Sequence, residues 1–569
     1  MESRSLYVLA IIILISCQKK TVINDQPEFD SRSIESPSKT SIEQNRPNVL
    51  WIVAEDLSEY LPSFGDSTIV TPNLSRLAAE GICYDKFFSP AAVCAPARSA
   101  IATGMYPTSI GTNHMRTGPW YAGPQSKEHI ARYGEGMPPS IPPHEAVLPP
   151  EVKMMSQYLR MNGYFCTNNA KQDYQFVCPK TAWDQNNRKA HWRNRSEGQP
   201  FFSIFNLEVT HESRIWSKAK DSLWVANDLP VSIPPYLPDT EIGRKDFRRM
   251  YSNIKEMDHQ VGKIIDQLEE DGLLEETIIV WYSDHGGPLP RQKRLLYDSG
   301  IKVPMIIRFP DKRGAGTRND ELVSFIDLAP TVMSLAGMSP PSYMDGKAFL
   351  GRYKRTIPAK YVHGAADRFD ESYDTNRAVR DKRFKYIKYF EPELPMFLHV
   401  SYRDQQPIMQ ELYRLRDQGI MTEAQALWFR EVKPEEELFD TTTDPHEIKN
   451  LAEDPKYKTK LIELRKECER WIAATNDKCI GPESALLAEY WPDGKQPKTD
   501  IPTVKFADGL LTIDCKTEGA NLAYKVGDNE SWHIYTNEVI LDPDADIKVI
   551  AHRIGFEPSA EITVNRTLD

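Results

Sequence analysis

The sequence predicts an α/β protein with three parts. These are a large doubly wound mixed sheet with helices on both faces, a smaller α+β C-terminal subdomain, and an appended small β-sandwich. Two observations carry this. Short apolar runs alternate with helix-period stretches through residues 46–360, the pattern of strands crossing over through helices. The pattern then changes twice, to paired strand-like runs with two helical stretches over 361–491, and to short alternating runs separated by turn residues over 500–569.

In chain order, Asn48 to Ala54 is an apolar run of the kind buried on both faces of a sheet. Thr71-Pro72 reads as an N-cap and first helical position, followed by Leu74, Leu77 and Ala78 at helical spacing. Residues 149–162 predict a helix, Tyr164 to Thr167 a strand, and Phe201 to Leu207 a second buried strand. A long helix is expected over about 243–270, leading into a strand at 277–282; Ile301 to Phe309 reads as a strand and 321–336 as a helix. Further on, two strands flank Asp381-Lys382, residues 405–430 and 455–475 read as helical, and 492–497 as a linker. In the last segment Leu510 to Asp514 and Ile547 to Ala551 are strand-like.

The chain has 569 residues, of which 40% are hydrophobic and 27% charged, with a formal net charge of -11. That is the composition of a globular protein of several domains. An acidic chain has no global attraction for a polyanion, so nucleic acid is excluded as a partner and any anionic ligand must be held by a local cluster of cations. Met1 to Cys17 differs from the rest. Arg4 precedes the apolar run Leu6 to Ile15, which is too short to span a bilayer, and Leu14-Ile15-Ser16-Cys17 resembles a bacterial lipobox. The expectation is a signal peptide over 1–16, lipidation at Cys17, a flexible tether over 17–45, and an exported, membrane-anchored lipoprotein on the outer-membrane, periplasmic or cell-surface side. Of the eight cysteines, Cys166–Cys178 and Cys468–Cys479 are possible disulfide pairs, and no Cys/His zinc spacing is present.

Ligands of doubly wound sheets bind beyond the carboxyl ends of the strands. Glu55-Asp56 follows the first strand directly, and Asp284-His285-Gly286-Gly287 follows the strand at 277–282, so two acidic strand ends can turn toward one hard cation. Between them in sequence lies Cys94-Ala95-Pro96-Ala97-Arg98, with Pro96 in a helix's first turn, which places Cys94 at a helix N-terminus that favours an anion. Lys171 and His211 follow strands, and Lys293 precedes Tyr297.

These segments resemble the type I sulfatases, a family of the alkaline-phosphatase-like superfamily. The Cys-x-Pro-x-Arg run followed by Thr103-Gly104 resembles the family's maturation signature, in which the cysteine is oxidised to Cα-formylglycine (3-oxoalanine) by a dedicated maturation enzyme. Asn168-Asn169-Ala170-Lys171 resembles the family's lysine segment, Phe201-Phe202…Thr210-His211 its Thr-His segment, and Lys293 the lysine before its Tyr-Glu-Gly-Gly segment. Glu437-Leu438-Phe439-Asp440…Asn450-Leu451 resembles a late family segment, so the likeness spans about 46–490.

The resemblance implies hydrolysis of sulfate esters of a sulfated glycan, either algal, such as ulvan, or glycosaminoglycan. It implies Cys94, Arg98, Lys171, His211 and Lys293 as catalytic groups, and Glu55, Asp56, Cys94, Asp284 and His285 around one metal ion. Mostly oxygen ligands predict Ca2+, with Mg2+ the alternative. His114, Arg116 and Asp173 are candidates for substrate contact. Two positions depart from the family pattern: Glu55 stands where Asp is usual, and Asp173 where His is common. Competing readings are a phosphate or phosphonate ester hydrolase of the same superfamily, and a non-catalytic glycan-binding lipoprotein that keeps the Cys94 thiol.

Overall fold

The computed structural model describes residues 46–115, 141–527 and 531–564; Cys17, Arg116 and the signal and tether segments lie outside them. Among the described residues, strands β1 (Asn48–Ala54), β2 (Ile82–Phe88), β3 (Phe165–Asn169), β4 (Gln185–Asn186), β5 (Phe201–Leu207), β6 (Thr277–Ser283), β7 (Lys302–Arg308), β8 (Thr317–Asn319) and β9 (Val323–Ser324) form one sheet. Its order is β4-β3-β5-β1-β6-β7-β2-β8, with β9 also on β2. The half from β4 to β6 is parallel, while β7 runs antiparallel to both β6 and β2, so the sheet is mixed.

Alternation along β1 shows why every residue of that run is apolar apart from Asn48. Leu50, Ile52 and Ala54 enter a core shared with the helices Pro72–Glu80 and Glu241–Glu270. Val49, Trp51 and Val53 enter a second core shared with the helices Cys94–Thr103, Met155–Met161 and Leu328–Leu335. Both faces are covered, so period-2 polarity would leave polar groups buried.

Three element readings shift. The helix expected over 149–162 begins only at Met155, after a segment of turns. The start of the stretch 321–336 is the short strand β9 paired with β2, and the helix begins at Leu328. Thr71 occupies the N-cap position before Pro72 but makes no capping bond. The cap comes instead from Asp258 of the long helix, whose carboxylate accepts from the N–H of Leu74 at 2.8 Å and of Asn73 at 3.3 Å.

A second, antiparallel sheet has the order β10 (Val362–Phe369), β11 (Ser372–Arg380), β12 (Phe384–Tyr389), β13 (Glu436–Asp440). It packs on the helix Lys458–Ala474 through Val379, Tyr386, Leu438, Leu461 and Leu464. The last segment forms two small antiparallel sheets, β14 (Thr503–Ala507), β15 (Leu510–Asp514) and β18 (Val539–Ile540) on one side, β17 (His533–Ile534), β16 (Asn521–Val526), β19 (Ile547–His552) and β20 (Ile562–Val564) on the other. Leu511, Ile513, Ile547 and Val549 fill the space between them.

These sheets are fastened to the α/β part. Asn521 Oδ1 accepts from Lys153 Nζ at 3.0 Å and Gln157 Nε2 at 2.7 Å, and Arg553 Nη2 donates to Leu148 O at 2.7 Å. The possible disulfides are not formed: Cys166, Cys178, Cys468 and Cys479 are all free thiols, with Cys166 Sγ against the carbonyls of Ser156 and Tyr164. Among the described residues no helix is long and apolar enough to cross a membrane.

Candidate active site

Parallel pairing of β1 with β6 brings the two acidic strand ends side by side. Ala54 is in register with Ser283, so Glu55-Asp56 and Asp284-His285 leave the sheet together. Asp284 N–H donates to Ala54 O at 3.1 Å, and Asp56 N–H to Asp284 Oδ1 at 3.1 Å. Asp56 takes a left-handed backbone conformation (φ 47°), which turns its carboxylate back over the sheet end. All four side chains are fully buried.

Cys94 opens the helix Cys94–Thr103, and no side chain caps that end, so its first N–H groups are directed at the same spot. Cys94 Sγ lies 3.4 Å from His285 Nε2. One ligand atom each from Asp56, Cys94, Asp284 and His285 lie within 4.8 Å of one another.

The expected cations surround this cluster. Arg98, one turn into the helix, reaches Asp284 Oδ2 at 3.1 Å, both Glu55 oxygens at 3.2 Å and Asn206 Oδ1 at 2.6 Å. Lys171 Nζ lies 2.6 Å from Glu55 Oε1 and 3.8 Å from Asp173 Oδ2. Lys293 Nζ lies 2.8 Å from Asp56 Oδ2 and 3.4 Å from His211 Nε2. The other ring nitrogen of His211, Nδ1, is 2.8 Å from Ser213 Oγ. Cys94, Arg98, Lys171, His211, Lys293, Glu55, Asp56, Asp284, His285 and Asp173 thus meet at the carboxyl end of one sheet.

Burial sets the protonation states, and neighbouring charge decides its direction. Desolvation opposes the carboxylates of Glu55 and Asp56, but Arg98 and Lys171 on one, and Lys293 on the other, hold both well below the usual range. Asp284, desolvated beside Glu55, is pushed up to about 7. Burial disfavours the charge on Lys293, yet Asp56 and Glu212 keep it protonated. His211 goes the other way: burial and then Lys293 push it down to about 4, so it is neutral where Lys293 is charged.

The comparisons with known proteins agree with this geometry. The family model described as Sulfatase matches residues 47–164 and 155–338, and that described as N-sulphoglucosamine sulphohydrolase, C-terminal, matches 291–414. An ulvan-active sulfatase of Formosa agariphila is 46% identical over 599 residues, covering 98% of this chain and 96% of the relative. The chain belongs to the sulfatase family. It is an enzyme that hydrolyses sulfate esters.

A 2-O GAG sulfatase of known structure superposes with a TM-score of 0.53 at 19% identity, covering 76% of this chain and 93% of the other. Fold by itself does not select the ester: a phosphonate monoester hydrolase from Silicibacter pomeroyi superposes at a TM-score of 0.50 and 17% identity, over 76% of this sulfatase and 97% of that chain.

The residues of this sulfatase fit a divalent cation. Asp56 Oδ1 is buried without a well-formed hydrogen bond although His285 Nε2 stands 2.9 Å away, and an Asp, Asp, His donor set converges there. Burial disfavours a charged His285, but Asp284 and Asp56 push it up to about 10, so a cation bound there displaces a proton. Glu55 reads differently: its two oxygens are engaged by Arg98 and Lys171, so it orients the cations.

His114 needs correction as a sugar contact. It is 3% exposed, its Nδ1 accepts from Arg368 N–H at 3.3 Å, and it faces Glu483 at 3.8 Å in a separate buried cluster. Sequence reasoning missed Glu212, Asn206 and Arg294. Glu212 accepts from Lys293 at 3.0 Å and from both Arg294 nitrogens at 2.9 and 3.0 Å, while its N–H donates to Asp56 Oδ2 at 2.7 Å. The signal was present, since an acid directly follows Thr210-His211 and a second cation directly follows Lys293.

Proposed function

We propose that this sulfatase removes sulfate groups from a sulfated polysaccharide of the ulvan class, using a nucleophile generated from Cys94, with Ca2+ held by Asp56, Asp284 and His285. The observation that carries the chemistry is the position of Cys94. Its sulfur sits at an uncapped helix N-terminus, in contact with His285, between two acidic strand ends and within the ring formed by Arg98, Lys171 and Lys293. The near full-length identity to an ulvan-active sulfatase supports the substrate class.

Formylglycine formed at position 94 would supply, as its hydrate, an oxygen nucleophile toward sulfur, and a divalent cation held by Asp56, Asp284 and His285 would draw charge from the sulfate oxygens. The chain's own groups do the rest. Lys171 and Lys293 flank the helix end and neutralise the remaining sulfate oxygens, which carry growing charge as the ester bond breaks. Arg98 holds Glu55 and Asp284 in place and turns its charge toward position 94. Lys293 and His211, 3.4 Å apart, form the pair that delivers a proton to the departing alcohol oxygen and takes one up when sulfate is expelled.

The apolar run ending at Cys17 supports export and lipid anchoring, which replacement of Cys17 by Ala tests by shifting the protein from membrane to soluble fractions. The decisive experiment compares wild type with Cys94→Ala on defined sulfated oligosaccharides. Mass spectrometry of the peptide around position 94 is measured in parallel. Sulfate release that survives the substitution, or an unmodified thiol in fully active enzyme, overturns the mechanism. Faster turnover of phosphonate than sulfate esters overturns the choice of ester.

A further inference from the structure

Beside the sulfate site lies an open cleft of 770 Å³, the size of a ligand pocket. Two of its walls are the segments that carry site residues. Asn169 and Ala170 immediately precede Lys171, and Asn206 to Val209 lead from β5 to His211. Asn206 belongs to both places: it lines the cleft, and its Oδ1 accepts from Arg98 Nη1 at 2.6 Å. The cleft therefore adjoins the point at which an alcohol leaves the sulfate.

Its charged side chains are engaged unevenly. Lys218 is paired with Glu256. Arg188 and Arg214 also line the cleft, and among the described residues neither guanidinium forms an ion pair; Arg214 Nε makes one long bond, 3.4 Å, to Glu208 O. The backbone beneath them is tied down. Asn169 Nδ2 donates to Arg188 O at 3.0 Å, and Arg214 stands on the short helix Ser213–Ser217 whose first residue contacts His211. Two planar forks of donors thus stand on anchored backbone and are available to pair with a carboxylate or sulfate. Glu208 and Asp221, on the same cleft, offset their charge. A site without net positive charge suits a hydroxyl-rich ring carrying one acidic group better than a bare anion.

We propose that this cleft binds the sugar residue adjoining the sulfated one, with Arg188 and Arg214 pairing with a carboxylate or a second sulfate on that residue. The proposal rests on the glycan-sulfatase reading above. It makes this enzyme selective for the neighbour as well as for the ester.

The test uses the full chain and the variants Arg188→Ala, Arg214→Ala and the double variant. Three sulfated oligosaccharides are compared, with a uronate, a carboxyl-reduced or a sulfated neighbour, and an aryl sulfate that has no neighbour serves as the reference. The double variant is expected to lose kcat/KM on one of the two acidic-neighbour substrates by roughly 30-fold more than on the aryl sulfate. The loss should shrink to about threefold for the carboxyl-reduced neighbour. Which acidic neighbour shows the loss identifies the group. Calorimetry of the same oligosaccharides on Cys94→Ala, with and without the two arginines, should show the same ranking without turnover. Equal losses on all substrates, or none on any, overturn the proposal. Wild type that hydrolyses aryl sulfate but no glycan overturns the substrate reading instead, and the calorimetry still reports on the cleft.

Discussion

Two of the buried ionic clusters among the described residues are built to opposite ends. Around Cys94, the carboxylates of Glu55, Asp56, Glu212 and Asp284 face Arg98, Lys171, Lys293 and Arg294, and several of these groups converge on one small volume at a helix end. Around His114, one carboxylate, Glu483, receives Arg368 in a two-pronged grip at 2.5 and 2.8 Å and the Tyr373 hydroxyl at 2.6 Å, with His144 3.9 Å away. Arg368 spends its remaining donor on the carbonyls of Met115 and Asp370. In the second cluster Glu483 is saturated by its partners, although among the described residues the buried His114 Nε2 finds none, whereas the first leaves a carboxylate oxygen and an imidazole aimed at a common point. A buried charge network is a functional candidate when its unsatisfied atoms converge, and a structural one when its partners saturate each other.

Substitutions at the two centres should therefore separate activity from stability. Cys94→Ala is expected to lower sulfate release by roughly 10⁴-fold or more, because it removes the nucleophile. Its melting temperature should stay near that of wild type, since an alanine fits a buried helical position. A large drop in melting temperature would show that the two clusters share a structural role.

Glu483→Ala should do the reverse. Leaving Arg368 buried without its partner is expected to cost about 3–5 kcal/mol in denaturant unfolding, while the folded fraction keeps its turnover number. Loss of turnover without loss of stability would join the His114 cluster to the active site.

Acid titration sharpens the same contrast. Burial opposes the Glu483 charge, but Arg368 outweighs it and pulls the carboxyl from 4.5 down to about 2. A carboxyl depressed in the folded state contributes stability that is fully present above about 4.5 and lost as pH falls through about 2. Its share is about 3 kcal/mol. His114, held neutral by burial and pushed from 6.5 down to about 4, adds a loss of the same sign beginning at higher pH, because the unfolded chain takes up its proton first. Unfolding free energy measured from pH 7 to 3 should fall along this course in wild type and more shallowly in Glu483→Gln.

The smallest effect is expected at Glu212, a positioning residue that holds Lys293 and Arg294. Glu212→Gln should lower kcat about tenfold with little change in KM, because one charged hydrogen bond to Lys293 is weakened while sulfate binding keeps its other cations. An equal rise in KM would place Glu212 in substrate binding.

Much of this site was legible in the chain. The apolar runs at 48–54, 201–207 and 277–282 are strands because both faces of the sheet are covered, and each ends where a functional segment begins. Cys94, Lys171, His211 and Lys293 were readable because segment-level likeness preserves residue type and order. His114 was misread because proximity in sequence to the signature helix says nothing about which way a loop folds, and this one turns inward against Arg368. The start of the helix at Pro72 was placed correctly but for the wrong partner: its cap is Asp258, 187 residues beyond Thr71 by the numbering.

The sequence by itself determined the fold class through its periodicity and, through its resemblance to the sulfatases, the expected reaction and Cys94, Arg98, Lys171, His211 and Lys293, since periodicity and motif order are properties of the chain. Only the tertiary structure decided how those charges are shared. Glu55 became a holder of Arg98 and Lys171, Glu212 became the brace of Lys293, and Arg188 and Arg214 were left facing an open cleft. Pairing between buried ions depends on distances of a few ångströms across separate strands and loops, and no spacing along a chain encodes those.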